Sequence, residues 1–263
     1  MSFQVDLIPA FADNYIYLVS DSDIGLAMVV DPGDPEPVLR ELKKRDLHLS
    51  LILNTHHHKD HVGGSEKLQR EYGAPIIGPE KERARITNMS RAVVNNDHIT
   101  FSTLRGHVIE THGHTAGHIS FYFPQIKALF CGDTLFSLGC GRLFEGTAAQ
   151  MWASLSALRS LPDDTLIYCG HEYTEANAKF ALAIDKNNTA LQARAKQVEH
   201  LRKEGKPTLP SNMATEKATN PFLRVDNPEF QQILTKKGLA SQGTDPAAVF
   251  GGLRAAKDKF SDN

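Results

Sequence analysis

The sequence predicts an α+β fold: two sheets packed face to face between helical layers, followed by a smaller, mainly helical domain. Short apolar runs bounded by turn residues recur between residues 5 and 169, the pattern expected of strands. They fall into two strand-rich sections that echo one another, each closed by a helical pattern and a further strand. Beyond His171 the β-like runs give way to helical periodicity. A chain of 263 residues holds one large and one small domain. The change of character puts their boundary near residue 173, giving domains at 1–172 and 173–263.

Taken in order, residues 5–8, 15–19 and 26–30 read as strands divided by turn chemistry at Asp13-Asn14 and Asp21-Ser22-Asp23, and hence antiparallel. Asp31-Pro32-Gly33 breaks the pattern. Residues 36–44 have helical periodicity with Val38, Leu39 and Leu42 inward, and the apolar run 49–54 suits a buried strand. A helix at 65–72, a short strand at 75–77 and a polar stretch rich in Arg and Asn follow. The second section offers strands at 99–101, 108–110, 118–122 and 128–131, then a helix at 150–161 and a strand at 165–169. The terminal part reads as helices at 175–184, 190–203, 228–235 and 246–260, with 205–221 as a long connecting loop.

The composition, 41% apolar and 23% charged, is that of an ordinary globular chain with a proper core. A net charge of -2 gives no electrostatic footprint for nucleic acid. No basic segment followed by an apolar one opens the chain, and no window of about eighteen apolar residues occurs, so a cytoplasmic protein without a membrane partner is expected. Cys131, Cys140 and Cys169 are odd in number and form no Cys-x-x-Cys pair, which suits a reducing compartment. Cys131 and Cys169 lie in apolar runs, where packing is the default role.

Metal-binding side chains concentrate in Thr55-His56-His57-His58-Lys59-Asp60-His61, between an apolar run and Val62-Gly63-Gly64. Alternation along extended backbone sends His56 and His58 to one side and His57 to the other, so the first pair can grip one cation. Asp60 and His61, where the chain begins to coil, fan apart by about a quarter turn and can reach a second. Three more candidates share one arrangement, a strand, a glycine and a donor: His114 between Gly113 and Gly117, Asp133 after Gly132, and His171 after Gly170. Singly, each is ordinary turn chemistry. Together they complete the first loop: His56, His58 and His114 for one ion, Asp60, His61 and His171 for the other, and Asp133 with one oxygen on each. His112 is the rival of His114. His57 and His118 are expected to orient neighbours or pack, and His48, His98, His107 and His200 to be structural or exposed. Mixed imidazole and carboxylate donors suit two divalent metal ions, zinc first, with iron and manganese as alternatives.

The motif at 55–61, Gly113-His114-Thr115-Ala116-Gly117-His118, Gly132-Asp133-Thr134-Leu135-Phe136 and Gly170-His171-Glu172-Tyr173-Thr174 resemble the metallo-β-lactamase superfamily. More narrowly they resemble the glyoxalase II, or hydroxyacylglutathione hydrolase, family. The resemblance begins at Ile8-Pro9-Ala10-Phe11-Ala12-Asp13-Asn14-Tyr15 and covers nearly the whole chain. Gly139-Cys140-Gly141-Arg142-Leu143-Phe144-Glu145-Gly146-Thr147 and Arg254-Ala255-Ala256-Lys257-Asp258-Lys259-Phe260 carry the narrower likeness.

That resemblance implies an αββα sandwich and hydrolysis of S-2-hydroxyacylglutathione thioesters, S-D-lactoylglutathione foremost, as the second step of methylglyoxal detoxification. It implies a hydroxide between two metal ions, with Asp60 and Asp133 in catalytic positions. Arg142, Phe144, Tyr173, Arg254 and Lys257 become the substrate contacts of a monomer acting on a small molecule. Some members carry Lys for Arg142, which keeps the charge, and Tyr for Phe144, which here removes a hydroxyl. Arg254 and Lys257, three apart on a helix, share a face and can clamp an anion. The nearest rival is a persulfide dioxygenase of the same fold, and a purely structural metal protein would favour closed, Cys-rich sites.

Overall fold

The computed structural model describes residues 3–240 and 245–260. They form two compact units, one of residues up to Glu110 with Ala116–Gly132, the other of Thr111–Thr115 with the residues from Asp133 on.

In the first unit β1 (Phe3–Ala10), β2 (Asn14–Asp21) and β3 (Leu26–Val30) form an antiparallel meander. The helix α1 (Pro35–Lys44) carries the chain to β4 (His48–Leu53), parallel to β3. The helices α2 (Lys59–Val62) and α3 (Ser65–Tyr72) then lead to β5 (Ile76–Pro79) and β6 (Arg91–Val93), also parallel, so six strands lie in chain order. A second, antiparallel set follows: β7 (His98–Phe101), β8 (Leu104–Glu110), β9 (Ile119–Phe123) and β10 (Ala128–Gly132).

All eight residues of β2 are buried because the strand is covered on both faces. Ile16 and Leu18 join Val38 and Leu42 of α1 and Leu68 of α3 in one apolar cluster. On the opposite face Tyr17 meets Phe130 of β10 at 5.7 Å between ring centroids, and Phe3 meets Phe101 at 6.4 Å, so the two sets of strands pack face to face. The start of α1 is set locally: Asp34 accepts from Glu36 N, and Pro35 supplies a fixed φ at the first turn. Each fully buried Val or Leu in that cluster contributes about 1.5–3 kcal/mol.

The second unit opens with a small hairpin, β11 (Leu135–Phe136) and β12 (Gly139–Cys140). After it come α4 (Ala148–Arg159), started by a reciprocal cap between Thr147 and Gln150, and β13 (Leu166–Cys169). The rest is α5 (Thr174–Ile184), α6 (Thr189–Lys203), β14 (Ser211–Asn212), α7 (Met213–Thr219), α8 (Pro228–Lys236) and α9 (Pro246–Asp258). No helix among the described residues is long and apolar enough to cross a membrane.

The expected loop at 205–221 is corrected here, since it holds β14, antiparallel to β13, and the helix α7. Likewise β6 lies in the polar stretch that gave no strand signal. The helix α7 is anchored by a polar side chain, which hydrophobic periodicity cannot register. Glu216, fully buried, accepts from Ser137 Oγ and Leu138 N (both 2.8 Å), Ser211 Oγ (2.5 Å) and Asn220 Nδ2 (3.1 Å). Removing it strands several buried donors. Glu216→Ala should therefore destabilise the protein by about 3 kcal/mol, and Glu216→Gln by less because one acceptor remains. Urea denaturation measures this, and an unchanged midpoint for Glu216→Ala would rule out the anchoring role.

Candidate metal centre

Each unit gathers its own share of the expected donors. In the first, Asn54 fixes the loop between β4 and α3: its Nδ2 donates to His61 O at 3.2 Å, and its Oδ1 accepts from Ser65 Oγ at 3.0 Å. Beside this loop runs the turn Asp31-Pro32-Gly33, where a Cβ at Gly33 would lie 1.8 Å from Asp60 O. Only glycine permits that approach. Asp31 is itself left-handed at φ 50° and buried. Its Oδ1 accepts from Thr55 N at 2.8 Å, and its Oδ2 accepts from Thr55 Oγ1 at 2.7 Å and faces His61 Nδ1 at 3.0 Å.

Those bonds determine the tautomers. The Thr55 hydroxyl hydrogen goes to Asp31, so at His56 Nδ1, 3.0 Å away, Thr55 Oγ1 accepts. The proton of His56 is on Nδ1 and its Nε2 keeps a lone pair. Asp31 does the same for His61. The ring of His56 lies 4.6 Å from that of His58 and 4.2 Å from that of His61, centroid to centroid, and His118 stacks on it at 4.8 Å. Donor atoms of Asp31, His56 and His61 fall within 4.8 Å of one another. Asp60 Oδ2 stands 3.5 Å from His61 Nε2 and accepts from Asn14 Nδ2 at 2.9 Å. As alternation requires, His57 turns away: its Nδ1 lies 2.8 Å from Glu82 Oε2, while Glu82 Oε1 accepts from Gly117 N at 3.1 Å.

In the second unit the Asp133 carboxylate lies between two imidazoles, its Oδ2 at 3.4 Å from His114 Nε2 and 3.3 Å from His171 Nε2. His114, rather than its rival His112, joins this group. Its Nδ1 donates to Arg142 O at 2.9 Å, which again leaves Nε2 as the lone-pair nitrogen. All three side chains are buried. The Tyr173 ring stacks on His171 at 4.7 Å and an interplanar angle of 2°, and the Phe144 ring lies 5.1 Å from His114. In both units the donor set is imidazole plus carboxylate, with Nε2 of His56, His61 and His114 oriented by bonds at Nδ1, which fits a borderline divalent cation. Cys131, Cys140 and Cys169 are buried and outside any disulfide, and burial pushes Cys140 up to about 11, despite Arg254 beside it, and Cys169 further up.

The remaining expected contacts also lie in the second unit. Arg142 and Phe144 are exposed and Tyr173 partly so. Arg254 is buried over the Phe222 ring, with Nη1 donating to Cys140 O at 2.8 Å and Nη2 to Asp258 Oδ1 at 3.1 Å. Lys257 Nζ donates to Ala176 O at 3.1 Å. Sequence reasoning missed Asp31, Asn14 and Glu82. Asp31 did carry a signal, because an acid directly after an apolar strand is the arrangement that singled out Asp133.

Residues 11–171 match the family model of the metallo-beta-lactamase superfamily, and residues 172–260 that of the hydroxyacylglutathione hydrolase C-terminus. A hydroxyacylglutathione hydrolase from Rhodospirillum rubrum is 47% identical over 98% of this chain and 99% of its own length. Among solved structures, ETHE1 from Myxococcus xanthus superposes with a TM-score of 0.64 at 26% identity, covering 98% of both chains. TTHA1623, solved in a di-iron-bound form, aligns with a TM-score of 0.53 at 29% identity over 62% of this chain and 90% of its own.

The Asp31 bonds lead to a measurable expectation. Asp31→Asn brings an amide donor against Thr55 Oγ1 and His61 Nδ1, disturbing the tautomer of His61. Metal affinity should fall about 10- to 100-fold. Titrating the loaded protein with a chromogenic chelator reads this directly, and release indistinguishable from wild type would contradict the orienting role.

Proposed function

The chain belongs to the hydroxyacylglutathione hydrolases of the metallo-β-lactamase superfamily, and from that membership we infer that it is a metal-dependent glyoxalase II. It hydrolyses S-2-hydroxyacylglutathione thioesters, with S-D-lactoylglutathione, whose products are D-lactate and glutathione, as the main substrate. The observation that carries this reading is the likeness to named hydroxyacylglutathione hydrolases along almost the full length of both chains.

His56, His58, Asp60 and His61 of the first unit and His114, Asp133 and His171 of the second are the residues that would hold the two divalent ions. Zinc suits these donors first, iron and manganese next. Bound ions would lower the pKa of water so that hydroxide is present near neutral pH, and would polarise the thioester carbonyl. The chain's own residues do the rest. Asp31 and Thr55 keep the Nε2 atoms of His61 and His56 as donors, and Arg142 O does so for His114. Asn14 steadies Asp60, which would orient the attacking hydroxide. The leaving thiolate has a conjugate acid of pKa about 8.5, so no strong general acid is required. In this reading residues 1–172 carry the metals and 173–263 form the glutathione side, where Tyr173 packs on the tripeptide and Arg254 and Lys257 meet its carboxylates, helped by Arg142 and Phe144. The enzyme would act as a monomer in the cytoplasm.

Asp133→Ala and His58→Ala should each reduce turnover of S-D-lactoylglutathione by about a thousandfold or more and lower metal content from two ions per chain. Thioester cleavage followed by absorbance, with metal analysis of the same samples, tests both. Undiminished turnover in either variant would remove the mechanism. Oxygen uptake with glutathione persulfide, in place of thioester cleavage, would favour the dioxygenase reading.

A further inference from the structure

Phe11 stands in the turn between β1 and β2, 61% exposed and in the left-handed region at φ 50°. Both features are unfavourable for this residue: water meets an aromatic ring, and a bulky side chain takes a backbone conformation better suited to Gly or Asn. A side chain kept against two local preferences points to a use elsewhere. Its position suggests that use. A Cβ at Gly33 would lie 3.0 Å from Phe11 Cε2 and 1.8 Å from Asp60 O, so the phenyl ring sits at the corner where the Asp31-Pro32-Gly33 turn meets Asp60. Asn14, three residues on, holds the Asp60 carboxylate. Ile24, also exposed, lies past the other end of β2, roughly 25 Å away for a strand of eight residues.

A thioester has two arms. The residues proposed for glutathione, Arg142, Tyr173, Arg254 and Lys257, are all in the second unit, and the acyl arm has no assigned contact. In that reading the acyl chain is bonded to the carbonyl that would react beside Asp60, and Phe11 is the exposed aromatic side chain seated at the corner next to the Asp60 backbone. We propose that Phe11 is the apolar wall for the acyl group and sets preference among 2-hydroxyacyl substrates, favouring larger and aromatic chains. This rests on the reading of the chain as a glutathione thioester hydrolase. The left-handed turn sets the ring against Gly33, where a larger residue would crowd it and overlap Asp60 O.

The test compares wild type, Phe11→Gly and Phe11→Leu on S-mandeloyl-, S-D-lactoyl- and S-glycoloylglutathione, with melting temperature and with inhibition by S-benzyl- and S-methylglutathione as readouts independent of turnover. Phe11→Gly should lose about tenfold in kcat/KM on the mandeloyl substrate and less than twofold on the glycoloyl one. It should bind S-benzylglutathione correspondingly more weakly and S-methylglutathione unchanged. Its melting temperature should hold or rise, since glycine relieves the backbone. Phe11→Leu should recover most of the mandeloyl loss. An equal loss on all three substrates with a lower melting temperature would mean that Phe11 acts only on the fold, and unchanged ratios would mean that the acyl group does not touch it. Either result overturns the proposal while wild type still cleaves the thioesters. Wild type failing to cleave any of them would instead overturn the underlying function, and this proposal with it.

Discussion

A buried carboxylate at the end of β3 governs the first unit's share of the site. Val30 and Leu53 are partners across the parallel pair β3 and β4, so Asp31 and the backbone leaving β4 emerge side by side. A charge buried there without partners would be strongly destabilising. Asp31 is satisfied by Thr55 N, Thr55 Oγ1 and His61 Nδ1 together. The same contacts that make its burial tolerable choose which nitrogen of His56 and of His61 can ligate. Folding stability and metal readiness therefore share one set of hydrogen bonds. The close approach needed to form it explains Gly33, where even a methyl group would overlap the Asp60 backbone.

Ligand orientation follows the same logic in the second unit with a different acceptor. There a backbone carbonyl, Arg142 O, takes the proton of His114 Nδ1, and Asp133 is placed between His114 and His171. The carbonyl belongs to the segment that also presents Phe144 to the His114 ring. A single loop thus fixes the tautomer of one donor and the apolar surface beside it. Burial pushes the thiols of Cys140 and Cys169 up, which disfavours their thiolate forms.

How much of this was legible in the sequence depended on distance along the chain. The histidine loop could be read because alternation and coiling act over a few residues, and His57 turned away from His56 as extended backbone requires. Amphipathic helices such as α1, and the apolar runs that form β2, β4 and β10, were equally local signals. The residues that orient the donors were hidden because their partners are remote: Thr55 is 24 positions from Asp31, Glu82 is 25 from His57, and Asp60 is 46 from Asn14. No periodicity connects such pairs. The helix α7 was hidden for another reason, since Glu216 anchors it through hydrogen bonds and a charged residue in a short polar stretch reads as solvated loop.

In the proposed reading Arg254 is a cation ordered before substrate arrives. Its guanidinium is held by Cys140 O, supported by the Phe222 ring and turned toward Asp258. The ordering entropy of this long side chain is therefore met during folding, leaving less of it to oppose binding. Asp258 also lies 3.9 Å from Arg142 Nε, which is otherwise exposed. In the proposed reading a substrate carboxylate has to join or replace Asp258 between these cations.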